Sequence, residues 1–173
     1  CSLRFARSGK TKLTLNVRLQ NMKTIITMLA WITIVATTAQ ADDKPDRLII
    51  NLGGFDGPSY ELVLSNGVLW YKSGDYIFQL ESRKAEPIQP SDEQWKNFRE
   101  SLDQLDVWNW KTNYVDLKVL DGTQWGLTIA YSNRTMTIEG SNGYPGSKDA
   151  QPSDLFNNFL SAVEQLIGGK KFR

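Results

Sequence analysis

The stretch Tyr60-Glu61-Leu62-Val63-Leu64-Ser65-Asn66-Gly67-Val68-Leu69-Trp70-Tyr71 decides the fold. Tyr60, Leu62 and Leu64 alternate with Glu61, Val63 and Ser65, and a period of two sends each set to its own face of a strand. Asn66-Gly67 is a hairpin turn signal, so Val68–Tyr71 is predicted to return as the antiparallel partner. Such a hairpin has an apolar face that another layer must cover.

Working outward, Arg47–Phe55 is an apolar, β-branched run that ends at Gly53-Gly54, and reads as a preceding strand. Tyr76–Leu80 reads as a further strand, and Pro87 and Pro90 close a loop. Ser91 with Gln94 three residues later forms a capping box. Behind it Trp95, Phe98, Leu102 and Leu105 recur at helical spacing, one apolar stripe opposite Lys96, Arg99, Glu100 and Asp103. The plan then recurs. Trp108 and Trp110, two apart, are expected on one face of a strand. Asp121-Gly122 turns the chain into the alternating Trp125, Leu127 and Ile129, and Ser132-Asn133 turns it into Thr135–Ile138. Gly140–Gly146 is dense in breakers and reads as a loop. Ser153 caps a last helix with the stripe Phe156, Phe159, Val163 and Leu166, and Gly168-Gly169 stops it.

The halves, about 47–106 and 107–168, share motifs in order. Asp56-Gly57-x-x-Tyr60-x-Leu62 matches Asp121-Gly122-x-x-Trp125-x-Leu127, and Pro90-Ser91-Asp92 matches Pro152-Ser153-Asp154. An internal duplication and the general likeness of any two strand–helix units both account for this. Either way the expected class is α+β: an antiparallel sheet with two amphipathic helices packed on one face.

Residues 22–41 read as a secretory signal peptide, with Met22-Lys23 as its start, Ile25–Ala36 as its apolar run and Ala39-Gln40-Ala41 as the cleavage triplet. Residues 1–21 then read as leader sequence, and 42–173 as one exported bacterial domain, periplasmic or secreted after cleavage following Ala41. All six bases up to Ala41 (Arg4, Arg7, Lys10, Lys12, Arg18, Lys23) leave with no acid, so 14 of 20 bases remain against 19 acids, a net charge of −5. An acidic domain lacks the basic face that nucleic acid requires. No membrane span is expected in the mature form. Cys1, the chain's one cysteine, lies in the leader, so the domain relies on its core and not on disulfides.

The chain has no histidine, which removes Ser-His-Asp and Cys-His catalysis and the usual zinc sites. Asp56, Asp121 and Glu139 are the acids a hydrolase would use, but the first two sit in Asp-Gly turns where aspartate serves local hydrogen bonding. The acidic opening Asp42-Asp43-Lys44-Pro45-Asp46 reads as a solvated terminus. No catalytic residue, metal or cofactor is expected. The anomaly is aromatic: 17 Trp, Tyr and Phe residues remain in 42–173. Trp70, Tyr71, Trp108, Trp110 and Tyr144 are hard to bury together, and exposed rings stack on sugars or anchor interfaces.

Gly53-Gly54-Phe55-Asp56-Gly57, a Gly-Gly-Phe-x-Gly turn after the first strand, resembles that of the emfourin-type inhibitors of thermolysin-like metalloproteases. The order of elements over about 47–167 is similar to theirs. The resemblance implies a protease inhibitor that presents a rigid loop to a protease cleft. Residue chemistry and resemblance together give an exported, non-enzymatic binding domain. Its partner would be a protein, a metalloprotease among the choices, or alternatively a glycan or cell wall bound through aromatics. The candidate binding residues are Gly54, Phe55 and Asp56 on the first loop, with Trp108, Trp110, Tyr144 and Pro145.

Overall fold

The computed structural model describes residues 43–55, 57–119 and 121–173. The expected leader, signal peptide and cleavage site lie outside the described residues, as does Asp56. The elements run β1 (Arg47–Gly54), β2 (Ser59–Ser65), β3 (Val68–Gly74), β4 (Glu86–Ile88), α1 (Asp92–Gln104), β5 (Asn113–Val115), β6 (Thr123–Tyr131), β7 (Arg134–Ser141) and α2 (Asp154–Leu166). The strands form one sheet in the order β4-β3-β2-β1-β6-β7-β5, so the class is α+β.

β1 is the axis of this sheet, with a hairpin on either side. Asn66 and Gly67 take φ of 51° and 78° in the β2–β3 turn, the left-handed pair that a two-residue hairpin loop needs. Register explains why the halves look alike. Ile50 faces Leu62 on one side and Leu127 on the other, and Leu52 likewise faces Tyr60 and Trp125. The repeated motif therefore occupies matching positions across β1. The sheet is not wholly antiparallel, as β5 runs parallel to β7. The chain leaves β4 at one edge, passes through α1, and enters the far edge in the direction of β7.

Both helices lie against the same face. Leu48, Ile50, Leu62 and Leu127 from the sheet share one buried cluster with Trp95, Phe98 and Leu102 of α1 and Phe156, Phe159 and Val163 of α2. The capping box is formed as predicted: the Gln94 amide donates to Ser91 Oγ at 3.2 Å, and the Ser91 amide donates to Gln94 Oε1 at 2.9 Å. Gln94 Nε2 also donates to the carbonyls of Gln165 (3.1 Å) and Leu166 (3.2 Å), which joins the start of α1 to the end of α2. Gly168 and Gly169 terminate α2 with φ of 72° and 83°.

Three local expectations are corrected. Tyr76–Leu80 is not a strand but holds a 3₁₀ turn at Ile77–Gln79, closed by the Asp75 amide donating to Gln79 Oε1 at 3.0 Å. Pro87 lies within the short edge strand β4, where a missing N–H costs no ladder bond. Trp108 and Trp110 are not on a strand. Asp106 turns left-handed (φ 53°) after α1, and Val107–Asn109 form a 3₁₀ turn that aims the two indoles differently.

Candidate functional site

The site is built from the turn that follows β1. A Cβ on Gly53 would stand 2.2 Å from Ser59 Oγ, and one on Gly54 would stand 2.7 Å from the Gly122 carbonyl. The two glycines are thus required by close passage against β2 on one side and the 121–123 segment on the other. Gly57 closes the turn at φ 126°. At its tip Phe55 is 68 % exposed, a large apolar ring held out by a narrow backbone.

Beneath the turn, on the helix side, a cleft of about 240 Å³ opens between Gly53, Gly54, Gly57 and Pro58, the loop residues Tyr144 and Pro152, and Phe156 and Leu160 of α2, with Arg173 at its rim. Two breaker-rich loops far apart in sequence are brought together here. The second is heavily tied. Buried Asn142 (φ 57°) donates from its amide to Thr123 O at 3.0 Å and from Nδ2 to Val119 O at 3.1 Å. Gly143 O accepts from Trp125 Nε1 at 2.8 Å. The Ser153 hydroxyl donates to Pro145 O while accepting from the Phe156 amide at 3.1 Å. A segment so held is ordered before any partner arrives.

The aromatic residues are placed differently from the expectation. Trp110 and Tyr144 are buried, as is Pro145. Tyr144 packs on Phe156 at 5.0 Å, Trp125 on Phe156 at 4.7 Å and Trp110 on Phe159 at 5.7 Å. Most of the aromatic excess therefore fills the space between sheet and helices, and neither Trp110 nor Tyr144 offers a ring to a sugar. Tyr71 is buried too, leaving Trp70 exposed on the helix-free face.

Trp108 is half-buried at the opposite end of the sheet, with the Arg99 guanidinium 5.2 Å and the Arg134 guanidinium 4.1 Å from its ring. Its indole N–H donates to Asp103, which also pairs with Arg99 at 3.2 Å. Burial pushes the Asp103 carboxyl up, but the hydrogen bonds from Trp108 and Arg99 and the two cationic neighbours outweigh it and hold it below the usual carboxylate range. Burial drives the Tyr131 phenol beside Arg99 up to about 12. These groups satisfy one another and form a structural cluster.

What the sequence reading missed is a set of exposed apolar side chains at the Phe55 end. Tyr76, Ile77 and Phe78 (64 % exposed) stand on the loop after β3, Val115 at the end of β5 and Leu117 (87 % exposed) on the segment that follows it. The registers Ser59–Gly74, Gly54–Thr123 and Val115–Ser141 bring these segments and the Phe55 turn to one end of the sheet. Tyr76 stacks on Phe78 at 5.4 Å, nearly parallel. Leu117, flanked by Asp116 and Lys118, belongs to no periodic pattern, so only its isolation between charges could have marked it.

The last residues form a strap. Phe172 is fully buried against Tyr60 at 5.4 Å, and Tyr71 Oη donates to Lys171 O at 2.7 Å. Tyr60 Oη donates to Arg173 O at 3.2 Å, and Lys170 pairs with Glu86 at 2.8 Å. The backbone of residues 171–173 is therefore bound to the domain. Asp121 and Glu139 do not meet: the former is at the loop end and the latter on the helix-free face. Among the described residues no group of three His, Cys, Asp or Glu is placed to hold a metal, and no helix is long and apolar enough to cross a membrane. No family model matches the chain, and neither a curated protein nor a solved structure matches it.

Proposed function

We propose that this is an exported, non-enzymatic binding domain that engages a protein partner through the Phe55 end of its sheet. The observation that carries this reading is the concentration of exposed large apolar side chains there. Phe55, Tyr76, Ile77, Phe78, Val115 and Leu117 all belong to that end, and among the described residues Trp70 alone of the exposed large apolar side chains lies elsewhere. Grouped exposed apolar side chains on a soluble surface mark interaction sites, and rings in a rigid frame give contact area at little entropic cost.

Within that class the inhibitor reading is the sharpest. The Gly-Gly-Phe-x-Gly turn resembles that of emfourin-type inhibitors, and here it holds Phe55 out on a backbone braced by β2 and the 121–123 segment. An inhibitor of this kind fills a metalloprotease cleft with Phe55 as its apolar anchor. The glycan alternative loses support, since Trp110 and Tyr144 are buried and Trp108 lies between two guanidinium groups.

The test is the residual activity of a thermolysin-like metalloprotease titrated with the purified protein and with F55A. The expected result is stoichiometric loss of activity with the protein recovered uncut, and at least a tenfold weaker effect for F55A, as for an anchor residue. Full protease activity at excess protein would overturn the metalloprotease reading. Equal potency of F55A would remove the turn from the interface.

A further inference from the structure

The helix-free face of the sheet carries a second feature, independent of the loop end. Asn51 on β1, Gly126 on β6 and Glu139 on β7 stand in one cross-strand row. Gly126 has no side chain, and the Asn51 amide leans over it, Oδ1 2.5 Å from where a Cβ would stand; around this amide lies a depression of about 240 Å³ walled by Asn51, Gln124, Thr128, Thr137 and Glu139. This is below the roughly 300–1,000 Å³ of drug-sized pockets, room for a small ring and not for a folded segment.

The walls are amides, hydroxyls and one carboxylate, and their hydrogen-bonding state is uneven. Gln124 Nε2 donates to Ser141 Oγ at 2.9 Å, and the Thr128 and Thr137 hydroxyls share a bond at 3.3 Å. Glu61, next along the row, is paired with Lys72 at 3.2 Å. Among the described residues the Asn51 side-chain amide and the Glu139 carboxylate make no such bond; their strands are about two spacings, roughly 10 Å, apart, and the amide reaches over Gly126 into that gap. An amide that both donates and accepts, opposite a carboxylate that only accepts, matches a ligand rich in hydroxyl donors. One row away on the same face, Trp70, Val63, Ile49, Thr128 and Thr137 are opposed in turn. This puts the 37 % exposed Trp70 ring about three strand spacings, roughly 14 Å, from Thr128.

We propose that this face binds a saccharide, one ring resting on the Asn51 amide over Gly126 and against Glu139, and a further ring along the chain stacking on Trp70. An apolar ligand would leave both polar groups desolvated and unpaired, and a peptide offers one backbone N–H donor per residue where a sugar ring offers several hydroxyls. Sugar hydroxyls satisfy both groups, while the absence of a Cβ at position 126 lets the Asn51 amide lie low enough for a ring to sit on it. Binding on so open a surface is weak, in the millimolar to sub-millimolar range typical of a few exposed hydrogen bonds and one stacked ring.

The experiment is an amide NMR titration of the whole protein with cellohexaose, a neutral probe, and with a chitosan hexamer, whose free amines favour the carboxylate. Saturable shifts at Gly126, Thr128, Thr137, Glu139 and the Trp70 indole are expected with at least one probe. G126V is the blocking variant. Its new Cβ meets first Asn51 Oδ1, at 2.5 Å, the movable end of a surface side chain, and a β-branched residue favours the strand. It should keep or raise the thermal midpoint while weakening binding more than tenfold. N51A and E139Q, both at exposed positions, should each weaken it roughly five- to tenfold and serve if G126V does not fold. No saturable shift at Gly126 with either probe would overturn the proposal, as would shifts that these variants leave unchanged.

Discussion

Replacing Phe172 with alanine tests whether the strap is part of the core or merely lies on it. The side chain is fully buried and stacks on Tyr60, and truncating a buried phenylalanine typically costs about 3–5 kcal/mol from lost transfer energy and the cavity left behind. A strap differs from an interior position, however, because it can leave. Once the ring is gone, four hydrogen bonds (Tyr71 to Lys171 O, Tyr60 to Arg173 O, the Phe172 amide to Glu164 Oε1 at 3.0 Å, Arg173 to Asn157 O at 3.1 Å) and two ion pairs (Lys170 with Glu86, Arg173 with Glu164) must offset the entropy of ordering about four residues. That entropy costs about 1–2 kcal/mol per residue for the backbone, about 4–8 kcal/mol for the four, against about 4 kcal/mol from four partly exposed hydrogen bonds of about 1 kcal/mol each and little from the exposed ion pairs. F172A should therefore undock the strap, and its cost should equal that of deleting residues 170–173, both near 3 kcal/mol. Urea unfolding followed by tryptophan fluorescence reads this directly: at a slope of about 1–3 kcal/mol per molar, the midpoint falls by about 1–3 M. A loss under about 1 kcal/mol for both variants would refute the claim that Phe172 completes the core. A deletion clearly costlier than F172A would refute undocking.

Ser59 is buried with its hydroxyl unpartnered, so S59A should raise stability by about 1 kcal/mol by removing an unpaired polar group; a lower urea midpoint would contradict this. Tyr131, whose phenol is raised to about 12 by burial, binds its proton more tightly folded than unfolded. Its contribution is complete below pH 10 and is lost as pH rises through about 12; Y131F should flatten that alkaline decline, measured as thermal midpoint against pH. Asp103 has the opposite sign. Its carboxyl is held low, so its stabilisation is present above the ordinary carboxylate range and fades as pH falls below about 4. The gap in midpoint between the native protein and D103N should close on acidification, and a constant gap would show that the carboxylate charge is irrelevant.

What the sequence made legible is whatever depends on near neighbours. The Asn66-Gly67 turn, the Ser91–Gln94 box and both helix stripes follow from local chemistry and occur where expected. Trp108 and Trp110 show the limit. Their spacing of two suited a strand, but the left-handed Asp106 at the end of α1 turned the segment into a 3₁₀ turn, and no period records that. The site divides similarly. The Gly-Gly-Phe turn announced itself through its glycines, whereas its placement across a cleft from the 142–153 loop is a tertiary fact. The exposure of Leu117 and Phe78 and the burial of Tyr144 and Trp110 depend on which side of the sheet α2 occupies. Composition counted the aromatic residues correctly but could not sort core from surface.

The loop end and the Gly126 depression are close enough that one ligand should sense the other. Gly126 lies three residues along β6 from Thr123, which opposes Gly54, so roughly 10 Å separates the depression from the base of the Phe55 turn. A standard interface covers about 800 Å² per partner, a patch of roughly 16 Å radius. A protein centred on Phe55, Phe78 and Leu117 must then spread either over the helix-free face, covering Gly126, or over the helix side and its cleft. The first arrangement makes saccharide and partner compete; the second leaves them independent. The apolar residues favour the first, because the Phe78 and Leu117 segments flank the Phe55 turn along the sheet edge, while the cleft side is already occupied by Arg173 and α2. Saturating cellohexaose should then weaken partner binding severalfold in the native protein and not in G126V. Equal affinity with and without the saccharide would put the partner on the helix side instead.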